Sequence, residues 1–302
     1  MSAPPAGAPT VAPQRRRLAA ARRFARSRSA VVSAVGLATL AVMALLAPIV
    51  APFDPAAQSG EPLLGPSGTY LLGTDQLGRD IVSRMIHGAR GSLLVAAGAA
   101  AVGAGIGVPL GLVAGYLGRW ADAVAMRVVD LLLAVPGILL ALVIIAVLGP
   151  GRLNLILAIG IGPIPEFARL TRVATLEVRE RDFVLAARGM GASTPDTMAR
   201  TVLPNVLGPV MVQFVITASM AVVIEAGLSF LGLGTPPPAP SWGGMLQDAR
   251  SYLYQSPTYG LFPGICLAAT VFFLERIGRG LQLAVGGGGA CAAARGIGRG
   301  AV

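Results

Sequence analysis

Five stretches without a single charged side chain, residues 29–53, 91–118, 131–151, 201–224 and 251–274, alternate along this chain with segments that carry arginine. A helix needs about 20 apolar residues to cross the hydrocarbon of a bilayer, and each stretch is long enough to do so. Hydrophobic residues make up 54% of the 302 and charged residues 13%, too apolar a balance for an ordinary soluble domain. The expected fold class is all-α, a polytopic membrane protein embedded in the lipid bilayer.

A sixth span is read in Leu153 to Pro165, interrupted by Gly160, Gly162, Pro163 and Pro165 and extended by Phe167, Ala168 and Leu170, with Arg169 reaching back to the interface. It is expected to be kinked, and it is the only span that reads as clearly broken. Six spans bring both termini to one side, and that side then holds 19 of the 24 arginines, the bias expected of a cytoplasmic face. The expected layout is a basic cytoplasmic segment over 1–30, a transmembrane region over 31–283 and a disordered Gly/Ala-rich tail over 284–302. Within the transmembrane region lie an extracytoplasmic loop at 54–90 and a cytoplasmic loop at 171–203. The order of basic run and then apolar run is also that of a secretory signal, but Ala30 to Ala47 exceeds the usual signal core, which favours an uncleaved first helix. In this membrane context the run Arg15 to Arg28 reads as a lipid-facing cuff, with no nucleic acid expected as a partner.

Several chemistries are excluded by what the chain lacks. It contains no lysine, so it cannot form the G-x-x-x-x-G-K-[ST] loop whose lysine reaches a transferred phosphate. If ATP drives this protein, another subunit hydrolyses it. Cys266 and Cys291 have no histidine cluster beside them, and His87 is the one histidine. No metal site, disulfide framework, cofactor site or catalytic residue is expected.

Two short segments carry the specific signals. In the cytoplasmic loop, Leu185, Ala186, Ala187 and Gly191 precede Leu203 and Pro204 at the spacing of E-A-A, three residues, Gly, nine residues, I-x-L-P. In the outer loop, Gly73, Thr74, Asp75, Gly78, Arg79 and Asp80, then Ser83-Arg84 and Gly88 to Leu93, match G-T-D-x-x-G-R-D, S-R, G-x-R-x-S-L. Glu225 to Gly234 and Thr235 to Leu246 add E-x-G-L-S-F-L-G-x-G and P-P-x-x-S-W-G-x-M-L. Over roughly residues 22 to 265 the chain resembles the C-type permease subunit of dipeptide and oligopeptide ABC importers. Leu185 stands where that family often has Glu, and Thr201 where it has Ile. Beyond Phe272 the family's closing pattern survives only in fragments.

That resemblance implies a six-helix permease of the type I importer kind, in a bacterial plasma membrane. The partners it implies are a homologous permease forming a heterodimer, two ATP-binding subunits or domains, an extracytoplasmic substrate-binding protein, and a peptide as cargo. Related permeases carrying nickel chelates or glycosides remain open. A self-contained secondary transporter would need paired broken helices, and a membrane enzyme a nucleophile or metal cluster.

Other features carry local expectations. Gly103, Gly107, Gly111 and Gly115 form one stripe, packing either within the chain or against a second permease. Asp75, Arg79, Asp80 and Arg84 read as structural ion pairs rather than as a grip on peptide termini. Asp130 is expected to pair with Arg127 one turn away, Glu225 is not read as a proton relay, and Trp242 reads as an interface anchor. In the cytoplasmic loop, a short helix from Phe183 to Met190 is followed by a turn at Gly191. A second helix is expected from an N-cap at Thr194 to a stop at Pro204.

Overall fold

The structure, a computed structural model, describes residues 22, 24–25 and 27–297, with side chains through Val285. Most of the 1–30 segment and residues 298–302 lie outside the described residues. The chain runs α1 (Arg28–Leu45), α2 (Ala47–Val50), α3 (Ile81–Leu117), α4 (Arg119–Leu133), α5 (Gly137–Leu148), α6 (Arg152–Ile161) and α7 (Ile164–Arg179). It continues with α8 (Asp182–Gly189), α9 (Thr194–Phe230), α10 (Trp242–Ala249) and α11 (Pro257–Ile297). Among the described residues there is no strand, only two isolated bridges in the loop before α3.

Four helices, α1, α3, α9 and α11, are long and apolar enough to cross a membrane, and the pairs α4/α5 and α6/α7 bring the spans to six. The α6/α7 pair bends by 47° at Gly162-Pro163, where the kink was expected. The α4/α5 pair bends more, by 81°, so the third span is broken as well as the fourth. Its cause lies in the sequence: Pro136 has no N–H to give the helix and pushes Val135 out of helical geometry. Pro109, Pro209 and Pro263, by contrast, lie inside continuous helices.

α3 is the axis of the molecule and packs on α1, α4, α6, α7 and α9, while α11 closes against α1 and α9. The main apolar cluster joins Val95 and Ala99 of α3 to Ala141 and Ile145 of α5, Leu155 and Ile159 of α6, Val222 of α9 and Leu274 of α11. The glycine stripe of α3 is turned toward α6 and α7. A Cβ at Gly103 would stand 2.9 Å from Pro163, at Gly107 2.6 Å from the Ile164 carbonyl, at Gly111 2.2 Å from the Ala168 carbonyl and at Gly115 2.7 Å from the Arg172 carbonyl. The two helices therefore meet backbone to backbone, and the stripe packs within the chain. Lipid removes the apolar drive between helices, so contact at this distance is what dispersion can use.

Polar ties hold the same helices. Asp130 pairs with Arg169 at 2.7 Å rather than with Arg127, because α4 lies alongside α7 and offers an interhelical partner. Arg172 grips Asp122 with two hydrogen bonds across the same pair. Glu225 is buried, accepting hydrogen bonds from Ser92 Oγ at 3.0 Å and Ser229 Oγ at 2.8 Å, so it fastens α9 to α3. Trp242 is not an interface anchor: it is 1% exposed and its Nε1 donates to the Met85 carbonyl. α11 stays helical to Ile297, into the segment read as a tail from 284.

Candidate functional site

Two candidate regions sit at opposite ends of α3. Its 37 residues rise about 55 Å. The signature loop packs on its first turns and the 179–204 hairpin on its last.

The hairpin is built from the backbone outward. Arg179 ends α7 and donates from Nη1 to the Gly115 carbonyl at 2.9 Å, tying the hairpin's base to the end of α3. α8 follows over Asp182–Gly189, one residue earlier at each end than the sequence suggested. It closes in a double turn: Ala192 N–H donates to the Ala187 carbonyl at 3.1 Å and Gly191 N–H to the Arg188 carbonyl at 2.9 Å. Gly191 sits at φ +85, the left-handed geometry this helix ending requires and glycine adopts without strain.

The second arm departs from expectation in two ways. Its N-cap is Ser193, whose hydroxyl accepts from Asp196 N–H, and Pro195 follows in the first turn; the cap lies one residue before Thr194. Nor does Pro204 end the helix. Residues Thr197–Val202 form a π turn in which Leu203 N–H reaches back five residues to the Met198 carbonyl, and the helix continues as α9. Proline's ring collides with the carbonyl four residues back in a regular α-helix, and the wider turn leaves room for it. The second arm and the fifth span are thus one rod of 37 residues.

Packing divides the predicted residues into two sets. Val184 is fully buried against Leu112, Tyr116, Val202 and Val206, with Leu203 partly buried beside them. Leu185 is 52% exposed, and Ala186, Gly191 and Pro204 are exposed, with Ala187 intermediate. Phe183 and, at the C-cap of the same short helix, Met190 add two exposed apolar side chains. The hairpin therefore presents a small-residue, apolar face on a rigid base. Sequence reasoning missed Tyr116 and Arg188, which meet beside this face: Arg188 Nε donates to Tyr116 Oη at 2.9 Å and its guanidinium lies 4.6 Å from the ring centre. The available signal was a tyrosine at the end of the second apolar run and an arginine adjoining the two alanines.

The loop of residues 54–80 is held by a network of buried polar contacts. Asp75 is buried and accepts from Leu77 N–H, Arg79 N–H and Arg79 Nε, with Arg84 Nε 3.3 Å away. Thr74 Oγ1 donates to the Glu61 carbonyl and accepts from Leu64 N–H. Asp80 caps α3 through Ser83 N–H and Ser83 Oγ. Gly73 and Gly78 hold φ values of +86 and +72, and a Cβ on either would strike a backbone carbonyl at 2.2 or 2.1 Å. Removing Asp75 leaves two buried guanidinium groups facing each other. An Asp75→Ala variant is expected to lose about 3 kcal/mol or more of stability, read as protease cleavage within residues 54–80 where the wild type resists. Resistance equal to wild type would show that the network does not depend on this carboxylate.

Among the described residues no group of three or more His, Cys, Asp or Glu could hold a metal. Comparison with known proteins places the fold. Residues 107–285 match the family described as binding-protein-dependent transport system inner membrane component. Residues 18–66 match the N-terminal transmembrane domain of oligopeptide transport permease C. The chain is 41% identical to the di/tripeptide transport system permease protein DppC of Pseudomonas aeruginosa, covering 86% of this chain and 88% of that one. It is 40% identical to the glutathione transport system permease protein GsiD of Pectobacterium atrosepticum, over 86% and 87% of the two chains. Among solved structures, an inward-facing conformation of the MetNI methionine ABC transporter superposes with TM-score 0.52 at 22% identity, covering 66% of this chain and 95% of that one.

Proposed function

We propose, since this chain belongs to the family of binding-protein-dependent transport system inner membrane components and within it to the dipeptide and oligopeptide permeases of ABC importers, that it forms one half of the membrane pathway for short peptides. It is a multi-pass membrane transport subunit and not an enzyme. It acts with ATP-binding and substrate-binding partners, as permeases of this family do. The relatives named for di/tripeptides and for glutathione suggest a cargo of two or three residues. Its second half is a homologous permease, and two ATP-binding subunits or domains sit beneath the pair. Both termini lie in the cytoplasm of a bacterial plasma membrane. The 19 arginines on the assigned inner side support that orientation.

The observation that carries this reading is the hairpin of residues 179–204. A partner seated on its apolar face moves α9 directly, because the second arm and the span are one helix. In the proposed cycle, nucleotide-driven closure of the ATPase pair pushes the hairpin and tilts α9 together with α3 and α7, alternating which side of the pathway is open. The Ser92–Glu225–Ser229 tie and the α3–α7 glycine contact keep this bundle rigid while it tilts. A self-contained transporter is disfavoured by the placement of the bent spans, the third and fourth, which are neighbours rather than equivalents in two repeated halves.

The test is purification from native membranes with its associated proteins, followed by ATP-driven uptake of a radiolabelled dipeptide into vesicles supplied with the binding protein. Recovery of an ATPase and a second permease, with uptake that requires all of them, is expected. An intact chain that brings down neither would sink the importer reading.

A further inference from the structure

Residues 177–204, the hairpin with the last turn of α7, carry four arginines and four carboxylates, and their pairing is uneven. Arg179 faces Glu180 at 3.7 Å, Arg181 faces Glu177 at 3.5 Å and Arg200 faces Asp196 at 2.9 Å. Arg188 has no carboxylate partner among the described residues. The remaining acid, Asp182, lies in the first turn of α8, six positions away at the opposite end of that helix, where it faces the positive end of the helix dipole. Arg188 is not loose, however. Its Nε is committed to Tyr116 Oη and its plane is held near the Tyr116 ring, while Tyr116 is 7% exposed and anchored in the last turn of α3. The two terminal nitrogens of this positioned guanidinium make no hydrogen bond among the described residues, and Arg188 lines a cleft of about 440 Å³ together with Tyr116, Arg179, Glu180 and Leu185. Arg179 brings little to it, being occupied by the Gly115 carbonyl and Glu180.

A fixed guanidinium with two free donors matches one class of partner group, a carboxylate taken in bidentate fashion. We infer that this cleft receives an acidic side chain of the ATP-binding subunit, so that the hairpin is recognised by one charged contact beside its apolar face. The inference rests on the importer reading, which supplies the partner. It divides the work of the hairpin: the Leu185 and Ala186 face sets shape, and Arg188 sets orientation and discriminates between ATPase subunits. Holding the fork in advance lowers the ordering cost of the contact.

The experiment is a titration of the purified ATP-binding subunits onto the full chain paired with its second permease, in nanodiscs of zwitterionic lipid, at low and high salt. Arg188→Gln is expected to weaken binding about tenfold at low salt and to flatten its salt dependence, whereas Arg188→Lys, which keeps the charge but not the fork, falls between. Tyr116→Phe, which removes only the hydroxyl, is expected to weaken binding a few-fold. Arg188 is exposed, so thermal melting of the permease pair alone reports whether Arg188→Gln has kept its fold. Wild-type affinity and salt dependence in Arg188→Gln, with binding lost in an Ala186→Arg control, would overturn the inference and leave the importer reading standing. Binding unaffected in both variants would remove the reading itself. An Arg188 effect that appears only when anionic lipid is added would assign the cleft to a lipid headgroup and also overturn the inference.

Discussion

An Ala186→Arg variant is expected to reach the membrane, fold and pair with its second permease, yet lose its ATPase by a hundredfold or more in affinity. The two halves of that statement have separate physical grounds. Ala186 is exposed on α8, and arginine is a good helix former, so an exposed substitution there changes stability by no more than about 0.5 kcal/mol. The face it occupies, with Ala187 and Gly191 near it, owes its shape to the smallness of these residues. A complementary surface packed against that face has no room for a long charged chain. The hundredfold loss is about 2.7 kcal/mol, within the usual cost of overpacking a close contact. The measurement is ATPase retention on the affinity-purified permease pair, beside its melting temperature alone. Retention at the wild-type level with an unchanged melt would show that the hairpin face is not the docking surface. Gly191→Val acts on the same face through the backbone. A β-branched residue at φ +85 costs about 1–2 kcal/mol, so the end of α8 should fray and ATP hydrolysis should uncouple from uptake before binding is lost.

Much of this architecture is legible because the bilayer imposes length and charge rules that need no tertiary information. The gaps between charges locate the spans, and the prolines and glycines at 160–165 foretell the bend between α6 and α7. The bend at Pro136 was equally available, since proline both removes a donor and excludes helix at the preceding residue. It was hidden by an unbroken run of apolar side chains, where composition reads as one span and only backbone geometry reports two. Pro204 misled in the opposite direction. The rule that proline ends a helix assumes a regular α turn, and Thr197–Val202 escapes it by widening to a π turn. Partner choice was the least legible level. Asp130 has Arg127 one turn away, and only the packing of α4 on α7 substitutes Arg169. Trp242 reads as an interface residue by type, yet the fold places it in the core. In the signature of residues 73–84, Asp75 meets Arg79 and Arg84 at short range, as four alternating charges within ten residues allow, whereas Asp80 caps α3 instead of joining an ion pair. Arg188 escaped notice because its partner Tyr116 lies 72 positions away.

The glycine stripe could not be assigned from spacing alone, and the structure now makes it the most sensitive element of the fold. Gly111 presents no side chain to α7, and a Cβ there would stand 2.2 Å from the Ala168 carbonyl oxygen and 2.9 Å from its carbon. Both are backbone atoms, so no rotamer change relieves the collision, and α3 and α7 must separate along their contact. Gly111→Leu is expected to abolish stable assembly, and Gly111→Ala to cost about 2–3 kcal/mol, the usual range for overpacking a close contact. At Gly103 the nearest atom is the edge of the Pro163 ring at 2.9 Å, and the penalty should be smaller. Gly105 lies on the same helix, two residues along, and a Cβ there meets nothing within 4 Å. Gly105→Ala should therefore be neutral or stabilising by up to about 1 kcal/mol, because alanine favours helix over glycine. The measurement is the detergent-resistant melting temperature of the three alanine variants, expected to fall in the order Gly105, Gly103, Gly111. A flat series would mean that helix propensity alone governs α3. An inverted one would move the stripe's partner outside this chain. The closest approach of the two helices is at Ala168, in the turn of α7 that also presents Arg169 and Arg172 to the carboxylates of α4. Separating α3 from α7 should therefore weaken those ion pairs together with the packing, which is why the cost of one methyl group at Gly111 is expected to exceed that of any other alanine on the helix.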